Sequence, residues 1–196
     1  MAPHDAIGAI AEEAISWRRQ IHQFPELLFD LPKTSALVAE KLKEFGCDEV
    51  VTGIAKSGVV AIIKGRRVGG RTIGLRADMD ALPMSEQTNL PHASKVENMM
   101  HACGHDGHTA MLLGTAKHLS ATRDFAGTVV LIFQPAEEGG GGGRVMIEEG
   151  VLGRAGGRQL ALHHGLGGLF LYAGKAAGRV HLDRQRRLGR PSPSRL

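Results

Sequence analysis

Apolar residues recur at helical spacing from Ala6 to Gln23, through Ile7, Ile10, Ala14, Trp17 and Ile21, until Phe24-Pro25 interrupts the pattern. The period predicts an amphipathic helix. A second helix is expected over Lys33 to Phe45, with Leu37, Val38, Leu42 and Phe45 on one face and Gly46 as its stop. Gly58 to Lys64 and Arg71 to Ala77 have strand character and flank a Gly/Arg-rich turn at Gly65 to Gly70, so they read as adjacent strands. Past a polar loop with Pro83 and Pro91, Thr109 to Leu119 reads as helix. Thr128 to Phe133 is an unbroken apolar run, as in a strand covered on both faces. Gly143 to Gly150 predicts a short helix and Gln159 to His163 a short buried strand. Alternating helices and buried strands indicate an α/β fold, a mainly parallel central sheet flanked by helices.

After His164 the periodicity fades, and residues 165 to 196 show neither a sustained period nor a repeat. Charge divides the chain at about the same place. Residues 154 to 196 carry nine Arg/Lys and one acid, a net +8, whereas residues 1 to 153 carry fifteen Arg/Lys against nineteen acids, a net −4. The expected organisation is therefore a folded unit over residues 1–164 and a basic, poorly structured tail over 165–196. The tail lacks aromatic interleaving and any reading motif, so charge alone does not make it a nucleic-acid binder.

At 196 residues and 42% hydrophobic content the chain can bury one domain core. No apolar stretch approaches the roughly 18 residues of a membrane span, and the acidic N-terminal stretch does not resemble a signal peptide, so a cytoplasmic location without membrane contact is expected. Cys47 and Cys103, the two cysteines, are too few for a disulfide framework and form no Cys-x-x-Cys redox motif.

The densest polar cluster is His101-Ala-Cys103-Gly-His105-Asp106-Gly-His108. Alone, Cys103 would read as a small buried hydrophobe and the histidines as surface or capping residues. Together, a thiolate and an imidazole two positions apart across Gly104 can aim both donors at one borderline metal. Glu137 and Glu138 follow the apolar run ending at Phe133, at the carboxyl end of a strand, where ligands of open α/β sheets gather. They are either an ordinary solvent-facing pair or a working pair, one binding a metal and one taking a proton from water. Asp78 and Asp80 follow another strand. Asp78 either fixes the tautomer of a ligand histidine or pairs with Arg76, and Asp80 can start the turn before Pro83. His163 sits at a further strand end; with Cys103, His105 and Glu138 it completes a set of S, N and O donors.

These stretches resemble the aminoacylase, hippurate hydrolase and carboxypeptidase-like family of metal-dependent amidohydrolases, the branch with auxin-conjugate hydrolases and N-acetyldiaminopimelate deacetylase. The resemblance covers residues 15 to 164 and rests on RQIHQFPEL (19–27), LRADMDALP (75–83), HACGHDGHT (101–109), FQPAEEG (133–139) and Leu162-His163. It implies a zinc-peptidase-like catalytic domain that is partial here. It also implies Cys103, His105, Glu138 and His163 as ligands of a divalent, two-metal centre, Glu137 as general base and Asp78 as supporting acid. Mixed S, N and O donors suit zinc, and manganese, cobalt or nickel can occupy similar sites.

The activity so implied is hydrolysis of the amide bond of small hippurate-like or N-acetyl amino acids; the alternative is an inactive metal-binding fragment of such an enzyme. Full-length relatives are expected to be homo-oligomeric. The family's smaller lid and dimerisation domain and its last metal-binding histidine have no counterpart after His164. A truncation or reading-frame shift near that point is therefore expected.

Overall fold

The computed structural model describes the backbone of residues 3–154, 160–165 and 168–173, and the side chains of 8–151 and 153. Two helices, α1 (Pro3–Gln23) and α2 (Pro32–Glu44), precede three strands, β1 (Glu49–Ile54), β2 (Gly58–Lys64) and β3 (Arg67–Asp78). A long loop leads to α3 (His105–Thr122) and then β4 (Ala126–Gln134), followed by α4 (Gly142–Glu148), α5 (Val151–Arg154), β5 (Leu160–Gly165) and β6 (Gly168–Ala173). The six strands form one sheet in the order β1-β2-β4-β3-β6-β5.

The α/β class follows the sequence pattern, but the sheet is mixed rather than mainly parallel. Among the described strands only β3 and β4 pair in parallel, and the helix α3 supplies the crossover that such a pair requires. The pairs β1·β2, β2·β4, β3·β6 and β5·β6 are antiparallel. A second correction concerns β2 and β3, which are not neighbours: β4 lies between them. The Gly65–Arg67 link crosses the chain entering β4 instead of closing a hairpin. Gly65, Arg66 and Arg67 donate their amides to the carbonyls of Gly127, Arg123 and Phe125 at 2.9, 2.9 and 3.1 Å.

β4 is apolar throughout because both its faces are covered, and its residues alternate between two cores. Val129, Leu131 and Phe133 join Val59, Ala61 and Ile63 of β2 under α1, α2 and α3, where Trp17, Val38, Leu42, Leu112, Leu113 and Ala116 fill the layer. Val130 and Ile132 face the other way, onto Met146 of α4 and Val151. Each fully buried large apolar side chain of this kind stabilises the fold by about 1.5–3 kcal/mol relative to its exposure. Two cores on either side of β4 therefore fix where that strand ends, and its end carries the acids. Among the described residues no helix is long and apolar enough to cross a membrane. The expected tail over 165–196 lies largely outside the described residues.

Candidate metal centre

Parallel pairing of β3 and β4 sets their carboxyl ends at one level, with Asp78 opposite Gln134. The chain leaves β3 through Met79 and Asp80 and leaves β4 through Pro135 to Glu138, so acids from both strands reach the same edge. Helix α3 starts there as well. His105 and His108 occupy its first turn, one step after Gly104, which adopts a left-handed backbone (φ 83°) suited to glycine.

Asp80 organises this edge. Its carboxylate accepts the backbone N–H of Glu137 on Oδ1 and that of Glu138 on Oδ2, both at 3.0 Å, which fixes the acid loop. Its backbone carbonyl accepts Nδ1–H of His105 at 2.8 Å. With the proton held on Nδ1, the Nε2 lone pair of His105 is directed at the acids, as in a metal-ligating histidine. Asp78 Oδ2 lies 3.6 Å from that nitrogen, Glu138 Oε1 3.7 Å and Glu137 Oε2 3.9 Å.

The donor atoms of Cys103, His105 and Glu138 lie within 4.8 Å of one another, as do those of Asp78, His105 and His108. Glu138 Oε1 is buried without a hydrogen-bond partner among the described residues. An orphaned carboxylate oxygen beside an open imidazole nitrogen and a thiol fits a divalent cation.

The electrostatics agree with that fit. Burial and the neighbouring Glu138 and Glu137 carboxylates push the Cys103 thiol up to about 11. Burial disfavours a charged His105, but hydrogen bonding to Asp80 and the field of Asp78 and Asp80 outweigh it and raise its pKa. Burial would raise Asp80, yet the bonds it accepts from His105, Glu138 and Glu137 hold it below its ordinary range. Three acids crowding one imidazole and one thiol favour a positive charge between them, which would also release the thiol proton.

The structure thus brings together Glu137, Glu138, Cys103, His105 and Asp78. His163 lies on β5, whose side chains are outside the described residues. Of the two open readings of Asp78, the pairing with Arg76 is present, and a histidine contact is made as well. Oδ2 accepts Arg76 Nη1–H at 2.7 Å, and Oδ1 pairs with Nδ1 of His108, also at 2.7 Å, so the histidine it orients is not His105. The imidazole of His105 is oriented by Asp80 instead, a role invisible in the sequence because it uses a backbone carbonyl. The expected helix start at Thr109 moves back to His105, since the first turn is polar and carries no apolar period.

Comparison with known proteins places these motifs. The profile of Peptidase family M20/M25/M40 matches residues 74–181, more than half of the chain. The chain belongs to this family. It is 59% identical over 134 residues to a hippurate hydrolase of Campylobacter jejuni, covering 68% of the chain and 34% of that protein. It is 50% identical over 139 residues to an N-acetylcysteine deacetylase of Bacillus subtilis, covering 70% of the chain and 36% of that protein.

Among solved structures it is similar to the YXEP protein of Bacillus subtilis, described as a dinuclear metal binding peptidase from M20 family. The TM-score is 0.70 and the identity 48%, over 74% of this chain and 40% of that one. The chain spans about a third of the length of these curated relatives.

Proposed function

We propose that the edge formed by β3, β4 and α3 is the metal-binding half of an amidohydrolase site acting on N-acyl amino acids. The observation that carries this reading is the convergence of Cys103, His105 and Glu138, with the buried, unpartnered Oε1 of Glu138 directed at the open nitrogen of His105. Cys103, His105 and Glu138, with His163, hold a divalent cation, zinc, manganese, cobalt or nickel, and two such ions in the complete site. Once bound, it supplies Lewis acidity, polarising the amide carbonyl and making water more acidic.

Glu137 does the proton work. Its side chain is 43% exposed against 20% for Glu138, so Glu138 faces the donors while Glu137 opens toward incoming water and substrate. As water adds to the carbonyl carbon, Glu137 takes its proton; as the C–N bond breaks, Glu137 returns that proton to the leaving nitrogen. The products are a carboxylic acid and an amino acid. Asp80 keeps Glu137 in place through its backbone amide, and Asp78 keeps His108 and Arg76 ordered beside it. Small N-acyl amino acids, hippurate among them, are the substrates that the names of the relatives suggest; nucleic acid and membrane play no part in this reading. We place the protein in the cytoplasm and expect the complete enzyme to be homo-oligomeric.

The test is release of amino acid from hippurate and several N-acetyl amino acids by metal-loaded protein, with Glu137→Gln as its matched variant. Loss of general-base catalysis predicts a fall of about 100-fold or more with metal still bound. Equal rates in the two proteins would remove Glu137 from the mechanism. One observation favours a second reading, namely that the chain covers 34–36% of its curated relatives. In that reading it binds metal without turnover, and stoichiometric metal with no product in either protein is the expected result.

A further inference from the structure

A second buried polar cluster adjoins the centre through Asp106, the neighbour of His105. Asp106 is fully buried, and its Oδ2 pairs with Arg18 Nε at 2.8 Å and His22 Nδ1 at 2.7 Å, both from the last turns of α1. His22 is also buried and carries the connection onward, its Nε2 lying 3.2 Å from Glu86 Oε1. Glu86 in turn accepts the Ser94 amide at 2.6 Å and the Thr88 hydroxyl. One carboxylate thus ties the start of α3 to α1 and, through His22, to the loop between β3 and α3. None of these contacts takes part in the chemistry proposed above.

The start of α3 needs such a tie. Its N-cap is Gly104, which provides no side-chain capping bond, so a cap does not set the position of the first turn. His105, His108 and Thr109 all bond toward the end of β3, to Asp80 or Asp78. Asp106 supplies the bond to a different element, α1. Its Oδ1 has no partner among the described residues, so the whole hold passes through Oδ2.

We propose that Asp106, acting with His22 and Arg18, is a positioning residue for the metal centre. By anchoring the first turn of α3 to α1 it keeps His105 Nδ1 on the Asp80 carbonyl and Nε2 facing Cys103 and Glu138. Its effect on metal affinity rests on the ligand reading given above; its effect on the His105 imidazole does not.

The experiment compares the full chain with Asp106→Asn and His22→Gln, using long-range proton–nitrogen NMR correlations of the imidazoles and Zn(II) affinity from chelator competition. Circular dichroism checks that each variant is folded, and Glu148→Gln, an exposed change on α4, serves as control. The expected result is a single Nδ1–H tautomer for His105 in the parent and control but a mixture in both variants. Zn(II) binding is expected to weaken by roughly 10- to 100-fold, the usual effect of removing an outer partner of a metal ligand.

The double variant should be little worse than Asp106→Asn, since both changes cut one connection. Folded variants with an unchanged His105 tautomer and unchanged Zn(II) affinity overturn the proposal. If Asp106→Asn does not fold, His22→Gln decides by the same two readouts. If the parent chain binds no Zn(II), the ligand reading fails, and the tautomer still decides whether Asp106 positions His105.

Discussion

Asp80 serves the centre twice, through its carboxylate to the acid loop and through its carbonyl to His105. Asp80→Asn keeps the carbonyl but turns an NH2 group toward one of the two loop amides, leaving a buried donor without an acceptor. The expected cost is about 1–3 kcal/mol in urea unfolding, with faster hydrogen exchange at the Glu137 and Glu138 amides. Gly142 makes a different local demand, since an added Cβ would lie 1.8 Å from the Pro135 carbonyl oxygen. Gly142→Ala should therefore force the acid loop apart and lower stability by about 1–3 kcal/mol, measured the same way. That Cys103, His105, Glu137 and Glu138 converge could be expected from the sequence, the first two from their dense cluster just before a helix and the acids from their place after a strand. The role of Asp80 could not, because half of it is played by its backbone.

Elements that bury an unbroken or periodic apolar face, α1, α2, β2 and β4, could be read directly from the chain. β1 was missed: Glu49–Ile54 is half exposed and interrupted by Gly53, so its alternation is weak, and it is recognisable only by its pairing with β2. The order of the strands was also hidden, since a short Gly/Arg link looks like a hairpin turn whether or not another strand enters between its arms. Arg123, at the end of α3, secures that crossing. Its guanidinium donates to Asp48 Oδ2 at 2.7 Å, Lys64 O at 3.0 Å and Gly46 O at 2.8 Å.

Arg123→Ala should cost about 1–3 kcal/mol by urea unfolding. Asp48 gives the same junction a pH dependence. Burial works to raise its pKa, but the Lys64 amide and Arg123 outweigh that effect, and the folded value falls below the ordinary 3.8. A depressed folded pKa contributes stability that is present above 3.8 and is lost as pH falls through the lower folded value. Asp48→Asn should therefore flatten the acid limb of the stability curve below that pH, with little change in its shape near neutrality.

Over the whole molecule, two apolar layers hold β4 from opposite faces, while the candidate site residues whose side chains are described sit at the ends of β3 and β4 and around the start of α3. Stability and chemistry are thus separable. Leu113→Ala, in the fully buried layer under α3, should cost about 2–5 kcal/mol by urea unfolding yet leave the donor residues unchanged.

The proposal that Cys103, His105 and Glu138 hold one divalent ion can be put to titration of the protein with Co(II). A thiolate-to-cobalt absorption band that saturates in the parent and vanishes in a folded Cys103→Ser variant is the predicted result. Absence of the band from the parent, or its persistence in Cys103→Ser, would show that Cys103 does not ligate the ion.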